Sequence, residues 1–378
     1  MNPDKDVYEF SETDYLIANT DVAAAVAAGQ FKSGHDHYQQ FGKIEGRVWG
    51  TQSRIGRVLF SLNKSGQGLE IGPSHNPLTP KKHGYNVHIL DHLSDEDLRK
   101  KYAGHGVNLE NIETVDFVWS GEDLSDLIEN KSCYDWIIAS HVIEHVPDLI
   151  SFLQQCAVLL KPEGKLSLVI PDKRYCFDYF NPVSSTGQLL DAYEQKRIRP
   201  SPGQIFYHLS NASSRSGKIA WDSTVDATPE LVHSFTEADN LWRRAITGIR
   251  PFSWHCIKKE LKFLIWQTSR YCLNSLLKLN LPSRKINDLL RGTKKRLQLL
   301  LMQFADTAEE YVDVHCWKFT PSSFNLIMTD LNMLGLVELT IISEFDTTGC
   351  EFYATLGKGL VDDKSIDRLQ QLTRRLKD

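Results

Sequence analysis

The chain has 378 residues, 41% hydrophobic and 24% charged, with a formal net charge of −5. This is the balance of an ordinary globular protein of roughly two to three domains, and its acidity gives no overall electrostatic footprint for a nucleic acid. The seven scattered cysteines (Cys133, Cys156, Cys176, Cys256, Cys272, Cys316, Cys350) include no C-x-x-C pair, which argues against a disulfide framework or a cysteine zinc site and for a reducing compartment.

The opening MNPDKDVYEFSETDY is acidic and polar rather than a signal peptide, and no apolar run reaches the ~18 residues of a spanning helix. A cytoplasmic setting is therefore expected. Residues 8 to 50 read as a small helical module. Asp14 to Ala28 is alanine-rich, GQFKSG breaks it, and a second helix is expected over His35 to Phe41. Such a module is either an extension packed on the main domain or a docking element.

From about residue 55 the pattern alternates. GLEIG (68–72), YNVHILD (85–91), TVDFVW (114–119), YDWIIAS (134–140) and KLSLVIPD (165–172) read as strands. SDEDLRKKYA, GEDLSDLIEN and PDLISFLQQCAVLLKPEG read as helices between them, so the expected fold is an α/β, mostly parallel sheet covered on both faces. TPSSFNLIMTDLNMLG then predicts a capped helix, and LVELTIISEF with CEFYATLG a strand pair joined by DTTG. The expected division is 1–50, 51–175, an insertion at 176–312, 313–360, and a helical tail at 361–378. The insertion is long for a connection. Its stretch Ile257–Leu300 carries eleven Lys or Arg against Glu260 and Asp288. That composition suits a lid or oligomer contact with a solvated basic face, or alternatively an interfacial helix pair on anionic lipid or a lipid-linked glycan.

Two stretches carry chemistry. In LEIGPSHNP, Glu70 and Gly72 stand where a strand-to-helix turn brings backbone N–H groups to a ligand. G-x-G-x-x-G is absent, which disfavours a dinucleotide, while Asp91 at the end of the next strand is placed for ribose hydroxyls. SHVIEHVPD offers His141, Glu144 and His145 in H-x-x-E-H spacing, a zinc-protease signature if it lies in a long helix. Here it follows a buried-strand pattern and contains Pro147, which would disrupt the interior of a zinc helix.

LEIGPSHNP, VHILDH, SGEDL, YDWIIASHVIEHVPD and LKPEGKLSLVIPD together resemble the class I S-adenosylmethionine-dependent methyltransferases, in the subgroup with an A-S-H-V-x-E-H-V segment. The resemblance covers about 65–182 and about 318–357. It implies a Rossmann-like sheet whose last strand is antiparallel. It also implies S-adenosylmethionine as cofactor: Glu70, Gly72, Pro73 and Ser74 beside its methionine part, Asp91 on the ribose, His92 flanking the adenine, Gly121 and Glu122 on the adenine, Ser140 and His141 near the sulfonium. Ser120 stands where the family usually has an acidic residue. Similar segments in ubiquinone-type O-methyltransferases are associated with a divalent cation, which His141, Glu144 and His145 would support. No metal is assigned from the residues themselves.

The expected reaction is methyl transfer to a hydroxyl of a sugar, glycan or other polar metabolite. Such an acceptor calls for a base near neutral pH. His145 is the first candidate, His141 the second, with Asp172 at the end of the fifth strand. Lys173, Arg174, His208 and His315 are candidate substrate contacts. Two rival readings remain: a cofactor-binding partner protein without catalysis, and a nucleic-acid methyltransferase using the basic stretch. The missing N/D-P-P-Y/F motif speaks against the latter.

Overall fold

A computed structural model describes residues 10, 12–247, 313–360 and 365–377. One sheet contains β1 (Gly68–Ile71), β2 (Val87–Asp91), β3 (Phe117–Val118), β4 (Tyr134–Ser140), β5 (Leu160–Pro171), β8 (Leu339–Thr348) and β9 (Glu351–Lys358), and β6 (Ser213–Ser214) pairs with β7 (Glu230–Leu231) apart from it. The sheet order is β3-β2-β1-β4-β5-β9-β8. The first five strands are parallel and β9 runs antiparallel to β5. This is the Rossmann-like class I arrangement implied by the sequence. The order reverses between β1 and β4, and ligands of open α/β sheets bind outside the strand ends at such a point.

The helices are α1 (Glu12–Ala18), α2 (Thr20–Ala27), α3 (Gly34–His37), α4 (Arg54–Val58), α5 (Asp95–Tyr102), α6 (Leu124–Leu127), α7 (Leu149–Leu159), α8 (Thr186–Glu194), α9 (Pro202–Ser210), α10 (Phe235–Thr247), α11 (Pro321–Met333) and α12 (Ser365–Arg375). Local sequence explains several starts. The side chains of Ser94, Asp148 and Thr320 accept the backbone N–H of Asp97, Ser151 and Ser323, satisfying otherwise orphaned donors of α5, α7 and α11. The sheet is buried on both sides. Leu153, Phe152, Phe324 and Ile327 pack over Ile137 and Leu168 on one face, while Val58, Leu59 and Leu78 cover Trp136 and Ile138 on the other.

Several boundaries differ from expectation. The helix expected over 14–28 is split at Asn19, whose side-chain amide donates to Tyr15 O (2.9 Å) and Val48 O (3.1 Å). The second helix of the module is only α3, continued by a π-helical turn over Tyr38–Gly42. α7 ends at Leu159 rather than running through KPEG, because Leu160 already pairs with Tyr134 and the register shift before Trp136 absorbs the following residues. β8 continues through Thr348, so the hairpin turns at Gly349, whose φ is +64°, rather than over DTTG.

Among the described residues, 10, 12–198, 211–232, 315–360 and 365–377 belong to one compact unit, and 199–210, 233–247 and 313–314 to a second. In the second, Ile205 of α9 and Ile246 of α10 are buried together with Val314. The basic stretch 257–300 lies outside the described residues. No described helix is long and apolar enough to cross a membrane.

Candidate functional site

The loop after β1 is shaped from below by Glu70. Its buried carboxylate accepts Leu78 N (2.7 Å), Thr79 N (2.9 Å) and Thr79 Oγ1 (2.6 Å). Burial pushes its pKa up, against the pull of those bonds. Glu70 therefore braces the loop from inside. Gly72 turns it with φ +67°, and a Cβ there would meet Val142 Cγ2 at 2.9 Å. Glycine is required on both counts. Gly72→Ala is accordingly expected to cost about 1–3 kcal/mol, read as a lowered midpoint in urea denaturation; an unchanged midpoint would show the loop yields freely.

Ser74 also has positive φ (50°), and its backbone N–H donates to Asp91 Oδ2 (2.8 Å). Asp91, buried at the end of β2, accepts His92 N (2.8 Å) and faces His92 Nδ1 (2.6 Å) through Oδ1. A carboxylate offers about four acceptor positions, so Asp91 retains capacity for a ligand hydroxyl after holding the loop. His92 reaches Lys101 through Nε2 (2.9 Å). In the turn after β3, Gly121 has φ +106°, and the Glu122 carboxylate folds back to accept Ser120 N (2.8 Å). The absent acidic side chain at 120 is thus replaced by a turn that Glu122 closes on itself.

At the end of β4, Ser140 Oγ accepts Arg54 Nη2 (3.0 Å), and Arg54 forks onto Glu351 (Nε–Oε1 2.7 Å). Neither Arg54 nor Glu351 was singled out from the sequence. Arg54 follows a serine N-cap shortly before β1, and that is the one local signal available for it. Glu351 also receives His141 Nε2 (2.8 Å). Burial raises the Glu351 pKa, yet the bonds from His141 and Arg54 outweigh it and bring it to about 2. For His141, burial acts to lower the pKa, but the Glu351 bond and the nearby Glu144 charge leave it raised.

The depressed Glu351 value has a definite sign. Its stabilisation is present above the ordinary glutamate value of 4.5 and is lost as pH falls toward about 2. Glu351→Gln is expected to lower stability at pH 7 by on the order of 3 kcal/mol, with the gap to the native chain closing by about 1.4 kcal/mol per pH unit below that value. Urea midpoints between pH 6 and pH 3.5 test this; a gap independent of pH would refute the ion pair.

SHVIEHV is not helical. His141 adopts φ +54°, residues 143–145 form a turn, and α7 begins only at Leu149 after Pro147. The long helix that a zinc-protease reading would need is absent here, and the segment is a turn stapled to a distant segment. Cys316 N (2.6 Å) and Trp317 N (3.1 Å) donate to Glu144 O, and the Trp317 indole donates to Val146 O (2.7 Å). His315 is thereby brought against His145, ring centroids 4.7 Å apart and nearly perpendicular. Its Nδ1 meets Asp178 Oδ2 at 2.5 Å. Asp178 was not foreseen, since DYFNP carries no local pattern for such a role.

Asp172 takes a different part from the one expected. Its fully buried carboxylate is gripped by Arg174 (Nη2–Oδ2 2.7 Å) and by Thr347 Oγ1 (2.6 Å). These bonds spend it on the loop after β5, so it anchors structure instead of meeting an acceptor. Arg174 is held in the same pair, and Lys173 donates to Tyr179 O (2.9 Å), its pKa lowered by burial. His208 is on α9 of the second unit, and its substrate role stays a sequence-based expectation.

The sequence profile of the methyltransferase domain family matches residues 48–239. The mitochondrial ubiquinone biosynthesis O-methyltransferase of Rattus norvegicus is 45% identical over 133 residues, which is 34% of this chain and 32% of that protein. The ubiquinone biosynthesis O-methyltransferase of Actinobacillus pleuropneumoniae is 30% identical over 92 residues, 22% of this chain and 36% of that protein. The chain thus spans about a third of the length of these curated relatives. A solved methyltransferase from Streptomyces caelestis aligns with a TM-score of 0.22 at 22% identity, over 31% of this chain and 50% of that one, a likeness too slight to bear weight. With its sheet order and a matched domain spanning just over half its length, the chain belongs to the class I, S-adenosylmethionine-dependent methyltransferase family.

Proposed function

We propose that the protein transfers a methyl group from S-adenosylmethionine to a hydroxyl of a sugar, glycan or other polar metabolite. The observation that carries this is Asp91, buried at the end of β2 with acceptor capacity left and tied to the Gly72–Ser74 turn at the reversal of strand order. The O-methyltransferase names of the curated relatives support a hydroxyl acceptor.

The sulfonium supplies an already activated methyl group, so the protein's task is alignment and handling of one proton. In this reading Asp91 holds the ribose, the Gly72–Ser74 backbone lines the methionine part, and Glu122 closes the adenine side. His145 takes the hydroxyl proton. His141 suits that task less, because Glu351 holds it toward its protonated form. The five described cysteines form no disulfide among themselves, which supports a reducing, cytoplasmic setting. The acceptor is the expected partner, without nucleic acid; peripheral lipid contact through 257–300 belongs to the same proposal.

Isothermal titration with S-adenosylmethionine, followed by tritiated methyl transfer to a panel of sugars, quinols and nucleic acids, tests this. Label in a sugar or other polar hydroxyl supports it. Cofactor binding with no turnover of any acceptor would instead indicate an inactive binding partner, and label in nucleic acid would overturn it.

A further inference from the structure

We propose that Arg215, Trp221 and Lys173 form a subsite for a phosphate group carried by the methyl acceptor. These residues lie on two segments of the first compact unit. One is the loop after β5, residues 173–181. The other is the strap 211–232, which is fastened to that loop by its backbone. Ser213 N donates to Phe177 O (2.9 Å) and Trp221 N to Tyr175 O (2.9 Å), and Cys176 pairs with Ala220 as an antiparallel bridge. Ser216 and Gly217 have φ of 49° and 73° and make a tight turn, closed by mutual backbone bonds of Arg215 and Lys218 (2.9 Å each).

Two buried donors of this cluster are left over. Trp221 is 5% exposed, and its indole N–H has no hydrogen-bond partner among the described residues. The Arg215 Nε–H is buried in the same state, while Nη1 donates to Val225 O (2.9 Å). Unbonded buried donors are costly, so two on adjoining side chains point to an acceptor from outside the chain. The guanidinium carbon is 5.1 Å from the Trp221 ring centre and 5.0 Å from that of Tyr179, and the two rings are 6.2 Å apart. Stacking of this kind fixes a guanidinium without consuming its N–H groups.

Lys173 adds a second cation. Its Nζ is 5.9 Å from the centre of the same Tyr179 ring and uses one of its three donors on Tyr179 O (2.9 Å). Arg174 is paired with Asp172, whereas no ion pair among the described residues engages Lys173 or Arg215. The carboxylates that act on Lys173 through space, Asp178 and Asp172, are already held by His315 and Arg174. Two unpaired cations suit a doubly charged group. A phosphate monoester carries about −1.5 to −2 charges near neutral pH and three terminal oxygens, enough for a guanidinium, an ammonium and an indole N–H together. A carboxylate has one charge and two oxygens. The Phe177 ring is 4.6 Å from His315, which is 4.7 Å from His145, the proposed proton acceptor. These rings separate the strap from His145, so the methylated hydroxyl is expected on a part of the acceptor remote from its phosphate.

The test is calorimetric titration of the full chain, without cofactor and at low salt, with glucose 6-phosphate, glucuronate and glucose. Glucose 6-phosphate is expected to bind at least about tenfold tighter than the other two, and inorganic phosphate to displace it. Arg215→Gln and Lys173→Met should each weaken its binding about 10- to 150-fold, and Trp221→Phe about 2- to 10-fold. Trp221→Phe keeps an aromatic ring in place, so it remains informative if Arg215→Gln does not fold; thermal midpoints check each variant. Equal affinity for the three sugars overturns the proposal, as does native affinity in both Arg215→Gln and Lys173→Met. No saturable binding of glucose 6-phosphate or inorganic phosphate at millimolar concentration does the same. Tighter binding of glucuronate also overturns it, by reassigning the subsite to a carboxylate. The inference rests on the methyl-transfer reading only in calling the ligand an acceptor. Phosphate binding is read without turnover, so either reading can fail with the other intact.

Discussion

Asp91→Ala is expected to weaken S-adenosylmethionine binding by about 10- to 150-fold, since a hydrogen bond to a charged group contributes roughly 1.5–3 kcal/mol. Two losses add. The ribose hydroxyl loses its acceptor, and Ser74 N loses the Oδ2 that holds the loop at positive φ. Asp91→Asn separates them, since one oxygen remains to keep the loop while the charge is gone. Calorimetric titration reads both variants. Native-like affinity in Asp91→Ala would remove the ribose assignment and with it the main support for the cofactor site.

His145→Ala is expected to lower kcat by about 10²- to 10⁴-fold, the usual range for a positioned proton acceptor. The cofactor Kd should stay within about threefold, because the proposed cofactor edge uses Gly72, Asp91 and the 120–122 turn rather than this ring. The ring lies beside Glu144 (Nε2–Oε1 3.9 Å) and edge-on to His315. Rapid-quench methyl transfer with labelled cofactor gives the number. A fall of less than tenfold would end the proton-acceptor role.

Local pattern made much of the fold legible. YDWIIAS is β4 residue for residue, and the caps at Ser94 and Thr320 fall where the sequence places them. Side-chain period and capping are properties of neighbours in the chain, so they survive without tertiary information. Asp91 and Gly72 were legible for the same reason, each ending or following a strand at the edge where ligands bind.

Contacts between residues far apart in sequence were not legible. Glu351 reaches back to Arg54 and His141, and Thr347 engages Asp172, turning an expected catalytic carboxylate into an anchor. Pro147 and the preceding strand pattern spoke against a long helix through H-x-x-E-H, but the left-handed backbone at His141 that shapes the turn had no local signal. From the sequence alone came the strands, the caps, the glycine turn after β1 and the family. Which imidazoles meet Glu144 was decided by tertiary structure, since the bonds joining 144–146 to 315–317 close a loop whose pairing no local propensity encodes.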